Sequence, residues 1–321
     1  MAAAIGAATP AGITVPHRLG TSDVGRITAR FADVIASDHR HGGRRSIEDQ
    51  AVAFADEALA LQESGSASQR VRQHLYGCAA AFMSSAMWAA IDGRRFDAAA
   101  RHHVRAASLA SMSGDQAIQF RIWSHAGSLY RHMRRPADAL AANDVARRLS
   151  ITRRDPMFAS LGHARHAAIH GLTGDHNAVR HAIGRAQEAL YRADADVSRP
   201  MWLTAHYDHA ELESLSLAAF LALGRYEDAE ACAHRSLALL RPHMQRSRAI
   251  TTARLARAQL GQGDLEPAVT TATGIPASLA EHPRVAGMLD RFGADLFGGA
   301  ADSRAARTWQ DYSSDLRRTE A

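Results

Sequence analysis

Five short segments recur along the chain: "DGRRFDAA" (92–99), "MRRPADAL" (133–140), "TGDHNAVR" (173–180), "LGRYEDAE" (223–230) and "QGDLEPAV" (262–269). Each closes one helical pattern and opens the next. An alanine stands at a matching place in four of them, Ala98, Ala139, Ala229 and Ala268, at steps of 41, 90 and 39 residues, and Ala178 divides the long step into 39 and 51. A helix–turn–helix unit repeated about every 40 residues cannot bury its apolar face alone. Stacked on its neighbours it builds one continuous core, so the spacing predicts an all-α array of helical hairpins.

The rest of the chain fits that frame. Val24, Ile27, Phe31, Val34 and Ile35 make one apolar helical face, with Thr21, Ser22 or Asp23 as its cap and Gly42–Gly43 as its breakers. A second helix follows from about Ser46 to Gln62, and "ESGSASQ" reads as a turn. No alternating strand pattern and no Asn-Gly hairpin signal occurs. The expected organisation is a disordered leader over 1–20, an N-terminal helical pair over 21–66 packing on the array, helical repeats over 67–300, and a C-terminal tail with helical pattern over 301–321.

Hydrophobic residues make up 46% of the chain and aromatics only 6%, an alanine-rich balance that suits close-packed helices. Every basic residue is Arg. The net charge of +5 is mild for 321 residues, and the arginine pairs (44–45, 147–148, 153–154, 317–318) are scattered, not gathered on one face as direct DNA binding would require. Cys78 and Cys232 lie far apart, form no metal or redox motif and read as small buried hydrophobes. The first 20 residues lack a basic n-region and are interrupted by Pro and Gly, unlike a signal peptide. No apolar run reaches the ~18 residues of a membrane span, so a cytoplasmic location without membrane contact is expected.

"WSHAGSLYRHMRRPADAL" (123–140) carries a family resemblance. Trp123, Gly127 and Tyr130, with Ala126 in the leucine place and Ala139 opening the second helix, resemble the tetratricopeptide repeat (TPR). Gly224, Tyr226, Ala229 and Pro242 make a second copy; Gly263, Ala268 and Pro276 make a third. The period exceeds the family's ~34 residues, Asn143 stands where that pattern has Phe, and the 157–190 copy is weak. The resemblance implies a TPR-like α-solenoid of stacked helical hairpins. Segments 19–43, 202–229 and 251–269 further resemble the C-terminal sensor region of Xre-type helix-turn-helix regulators of high-GC bacteria. In that family a DNA-binding domain precedes the repeats; about 20 residues precede the first resembling segment here, too few for that domain. The resemblance therefore implies a sensor and dimerisation half, with a homodimer as one expected partner.

Two clusters invite a chemical reading. His163, His166 and His170 fall at i, i+3 and i+7, a weak candidate for metal binding weighed against plain structural roles. In "HYDHAEL", His206 with His209 and Asp208 with Glu211 form two pairs at i, i+3, weighed against ordinary helix-surface residues. No nucleophile elbow, P-loop or GxGxxG in a strand context occurs; no catalytic residue is assigned and no cofactor is expected.

The TPR resemblance puts the first helix of each hairpin on the inner groove. Arg121, Ser124, Ser128 and Arg131 form a stripe beside the packing residues, and Met83, Met87, Glu211, Ser214 and Arg257 are its counterparts elsewhere. Methionine flexibility with arginine forks suits an extended peptide carrying a carboxylate. The leading reading is a regulatory protein that binds a peptide, small molecule or partner protein in this groove. The alternatives are a scaffold in a biosynthetic complex and a His-dependent, metal-using enzyme.

Overall fold

The computed structural model describes residues 18–319. The leader expected over 1–20 falls outside the described residues up to position 17. Leu19 is buried and donates its backbone N–H to the Ser66 carbonyl at 2.9 Å. Among the described residues there are 17 α-helices and no β-strand, and no helix is long and apolar enough to cross a membrane.

Helices α1 (Thr21–His41) and α2 (Arg45–Ser64) pack on α3 (Gln69–Asp92). Five hairpins follow: α3 with α4 (Phe96–Ser113), α5 (Gln116–His132) with α6 (Pro136–Arg148), α8 (Pro156–His170) with α9 (His176–Tyr191), α11 (His209–Ala222) with α12 (Tyr226–Leu239), and α13 (Gln245–Gln262) with α14 (Leu265–Thr273). The first helix of each hairpin packs on the first helix of the next, and α13 packs on α16 (Pro283–Ala300). Short helices α7 (Ser150–Arg154), α10 (Met201–Thr204) and α15 (Ala277–Ala280) lie in connections; α17 (Arg304–Thr319) ends the described chain. Its Trp309 is buried against Phe292, ring centres 4.9 Å apart.

Local chemistry explains the element starts. Asp115, Asp155, Asp175 and Asp208 each accept backbone N–H groups at the first turn of α5, α8, α9 and α11, satisfying donors that have no partner within the helix. Each hairpin turn contains one residue at positive φ: Arg94, Arg134, Gly174, Gly224 and Gly263, at steps of 40, 40, 50 and 39 residues. Five residues after each comes a fully buried small side chain: Ala99, Ala139, Val179, Ala229 and Ala268. Two assignments of the repeat register are thereby corrected. Ala98 and Ala178 are each one residue early, because both adjoin a second small residue that takes the buried place.

The long step accommodates residues 192–208. They thread α10 between hairpins and bury Trp202, Leu203 and Tyr207 in the core formed with Phe120, Phe158 and Leu212. Asn143, the departure from the repeat pattern, is fully buried and donates to the Gly162 carbonyl at 3.1 Å, tying α6 to the next hairpin. Gly127 sits where α5 and α6 touch: a Cβ there would meet the Asn143 Cβ at 3.2 Å and the Ala139 carbonyl oxygen at 3.3 Å.

Candidate functional site

The inner helices surround a chamber that a buried ionic clasp closes. Asp92, at the end of α3 and 1% exposed, meets three groups from the far end of the chain. Arg246 on α13 donates to its Oδ2, Arg284 on α16 donates to its Oδ1 at 3.1 Å, and His282 Nε2 lies 3.3 Å from Oδ2. Arg246 also reaches Asp38 on α1 at 3.3 Å. Burial alone would raise the Asp92 carboxyl, but Arg246, His282 and Arg284 hold it well below the usual carboxylate range. Gly42 gives the clasp its space, since a Cβ there would overlap the Arg246 guanidinium. The two glycines read as helix breakers thus sit against the joint between the two ends of the array, Gly43 lying against the Asp92 backbone.

Inside the clasp lies a cavity of about 110 Å³. Six arginines line it: Arg121 and Arg131 on α5, Arg165 on α8, Arg246 and Arg254 on α13, and Arg284. The lining carboxylates are Asp38 and Glu211, and burial raises both above their ordinary range. Trp88, Leu161, Trp202, Leu203, Leu215 and Ile250 supply an apolar surround.

Outside the clasp, the arginines are held by neutral groups. Arg121 donates to the Ala81 carbonyl and the Ser85 hydroxyl, and its guanidinium lies 5.0 Å from the Phe31 ring centre and 5.5 Å from that of Trp202. Arg165 lies over Trp88 at 5.8 Å, and its Nη1 is buried without a hydrogen-bond partner. Arg254 donates to the carbonyl and hydroxyl of Ser214, both at 3.1 Å. Burial pushes Arg121 down to about 9 and Arg165 to about 10. Burial, with Arg284 and Arg165 nearby, pushes Arg131 to about 10; burial, with Arg284 and Arg131, also lowers Arg254 well below the ordinary arginine value. At neutral pH the walls are cationic, and the charge is unfavourably placed.

A second cavity of about 670 Å³ adjoins the first. Arg131, Arg254 and Arg284 line both, and Arg94, Arg134, Arg257 and Arg291 complete the outer one with His132 and no lining carboxylate.

The expected groove residues divide by place. Arg121, Ser128, Arg131, Glu211 and Ser214 line the inner cavity, and Arg257 lines the outer one, where it pairs with Asp295 at 3.0 Å. Met83 and Met87 are instead buried in the core between helices, and Ser124 is 1% exposed and lines neither cavity. The groove assignment of those three is corrected: all are buried away from both cavities, Ser124 even though Ser214, ten residues before its turn as Ser124 is, lines the inner one. "HYDHAEL" is not one helix face, for α11 begins at His209. Asp208 caps it, accepting from the Glu211 backbone, while His206 and the Glu211 side chain line the chamber. Of the 163–170 histidines, His166 and His170 meet, Nε2 to Nε2 at 3.1 Å, and His163 is not among that pair. The Arg147 guanidinium stands 3.1 Å from His166 Nε2 and 3.5 Å from His163 Nδ1, where it would repel a metal cation, and among the described residues no three His, Cys, Asp or Glu side chains are placed to hold one.

The residues that sequence reasoning passed over are Arg165, Arg246, Arg254 and Arg284. A signal for two of them exists. Nine residues before each positive-φ turn position stand Ser85, His125, Arg165, Leu215 and Arg254, and all five line the inner cavity. Arg246 and Arg284 lie outside that stripe and are brought in only by the closure. No protein-family model matches the chain, and a comparison with curated proteins finds no match.

Proposed function

We propose that the chain is a TPR-like helical-repeat protein that binds an anionic small molecule, or the acidic end of a peptide or partner protein, in its central chamber. The observation that carries this is the charge balance: of six arginines around one cavity, Arg121, Arg131, Arg165 and Arg254 form no ion pair among the described residues, and the two lining carboxylates are both shifted toward the neutral form. Buried cations without counter-charges cost several kcal/mol each. A carboxylate or phosphate supplies that counter-charge in the geometry a guanidinium fork fits best, and the aromatic and aliphatic surround suits a small apolar body attached to it.

A regulatory role resembling the sensor half of Xre-type regulators fits the placement of Arg284. This side chain both holds Asp92 in the clasp and lines the chamber, so an anion competing for it acts on the joint that closes the array.

The test is thermal unfolding with sulfate or citrate against chloride at matched ionic strength, in the native chain and in Arg165→Met. Occupancy at 100 times Kd stabilises by about 2.7 kcal/mol, a rise of several degrees in Tm. The native chain should show this rise and Arg165→Met should lose most of it. General salting effects act on both chains equally; equal rises, or no rise beyond chloride, would refute the reading.

A further inference from the structure

The outer cavity has a feature that packing does not explain. All five hairpin turns place one residue in the left-handed region, where a side chain is strained and glycine is not. Three turns use glycine: Gly174, Gly224 and Gly263. The other two use arginine, Arg94 and Arg134, both at φ 59°. These two arginines line the outer cavity. The residue after each turn position is an ordinary structural arginine in three of the five turns: Arg95 pairs with Glu48, Arg135 with Asp138 and Arg225 with Asp228. The strained arginines have no such acid. Arg94 lies over Phe96 and close to Gly287 on α16, while the guanidinium groups of Arg134 and Arg291 make no hydrogen bond or ion pair among the described residues. The left-handed geometry itself belongs to the turn, since Arg95 N–H closes on the Ala90 carbonyl at 2.8 Å and Arg135 N–H on the Tyr130 carbonyl at 2.9 Å, as Arg225 N–H closes on Phe220 in a glycine turn. The turn does not require arginine where glycine is unstrained, and both arginines border the cavity.

We propose that the outer cavity is a site for an oligophosphate chain, two or more linked phosphoryl groups of a small molecule, clasped between Arg94 and Arg134 on the two turns and Arg291 on α16. The proposal rests on the anion-binding reading of the chamber and names its ligand class. Charge favours linked phosphates over one carboxylate: seven arginines and no carboxylate line the space, five of them without an ion pair among the described residues, and a linked chain gathers at least one negative charge per phosphoryl group where a lone carboxylate brings one in all. The lining also disfavours an acidic peptide. It contains no Asn, Gln, Ser or Thr to meet a peptide backbone; its remaining groups are His132 and apolar side chains. The size, about 670 Å³, is that of a small-molecule pocket.

Isothermal titration of the full chain with inorganic tripolyphosphate, orthophosphate, ATP and a hexaglutamate peptide tests this. Tripolyphosphate should bind at least ten-fold more tightly than orthophosphate. Arg94→Gly with Arg134→Gly should weaken it at least ten-fold while leaving Tm unchanged or raised, since glycine suits both turns. Arg291→Met, remote from the turns, should weaken it as well. ATP at least as tight as the free chain supports the proposal with a nucleotide as source; ATP weaker than tripolyphosphate but tighter than orthophosphate supports it with the free chain as source. Tripolyphosphate affinity unchanged in the glycine variant overturns it, as does hexaglutamate binding as tightly as tripolyphosphate. If sulfate still stabilises in an Arg165-dependent way while tripolyphosphate ignores the glycine substitutions, the chamber reading survives and this proposal alone falls.

Discussion

Arg246 and Arg254 stand about two turns apart on α13, and both are buried, at 8% and 6% exposure. Their surroundings are opposite. Arg246 is met by Asp92 and Asp38, which outweigh burial and raise it. Arg254 is met by the Ser214 carbonyl and hydroxyl, with Arg284 and Arg131 as charged neighbours; burial and those cations lower it. One helix thus carries a cation in ion pairs with two aspartates and another that forms no ion pair and faces only Glu211, a carboxylate that burial raises. The first holds the array closed. The second sits at the boundary of two cavities, where an anion from outside completes it.

The largest expected effect tests this contrast directly. Arg246→Met strips Asp38 of its cation and Asp92 of one of three partners, and should cost about 3–5 kcal/mol, the usual penalty for breaking a buried ion pair from one side. Arg254→Met removes two hydrogen bonds to Ser214 but also relieves repulsion from Arg131 and Arg284. Its net change should stay within about 1 kcal/mol in either direction. Urea midpoints of the two variants, without added multivalent anions, decide the matter. Equal costs would break the comparison, because Arg254 would then be as structural as Arg246.

The helical architecture was readable because it rests on local signals: breaks at regular spacing, capping aspartates and buried alanines. The chamber was half readable for a reason that the same residues show. Arg121, Ser128, Arg131, Glu211 and Ser214 belong to a stripe that helical periodicity places on one side. Met83 and Met87 were misplaced because that periodicity was anchored on an aromatic pattern instead of on the turn, while Ser124 shares the turn register of Ser214 and is closed off by local packing. Anchored on the positive-φ residue, the register also yields Arg165 and Arg254. Nothing local marks the partners of the clasp. Asp92 and Arg246 are 154 residues apart, and Asp38 and Arg246 are 208 apart. Their meeting depends on the summed rotation of all the intervening hairpins, which no single repeat encodes.

A smaller effect extends the rule to cations that can shed their charge. His163 and His166 on α8 face Arg147 from α6; His163 also faces His181 and Arg185 from α9, and His166 faces His170 and Asp144. Burial first, and Arg147 second, push both histidines down to about 4, with Asp144 opposing weakly at His166. Arginine in such company stays charged and strained; histidine stays neutral. In the unfolded chain these rings take up protons below about 6.5, the ordinary histidine value. The folded state binds fewer protons, so this contribution to stability is complete above about 6.5 and is lost as the pH falls toward 4. His125 and His132, lowered by burial and neighbouring arginines, add the same sign, while Asp38 and Glu211, raised by burial, oppose it. The double substitution His163→Gln with His166→Gln separates the cluster from these other groups. Urea midpoints at pH 7 and pH 4.5 should fall less on acidification in that variant than in the native chain. An identical fall in both would mean that the two rings already carry protons in the folded state, and that crowding by arginine does not govern charge here.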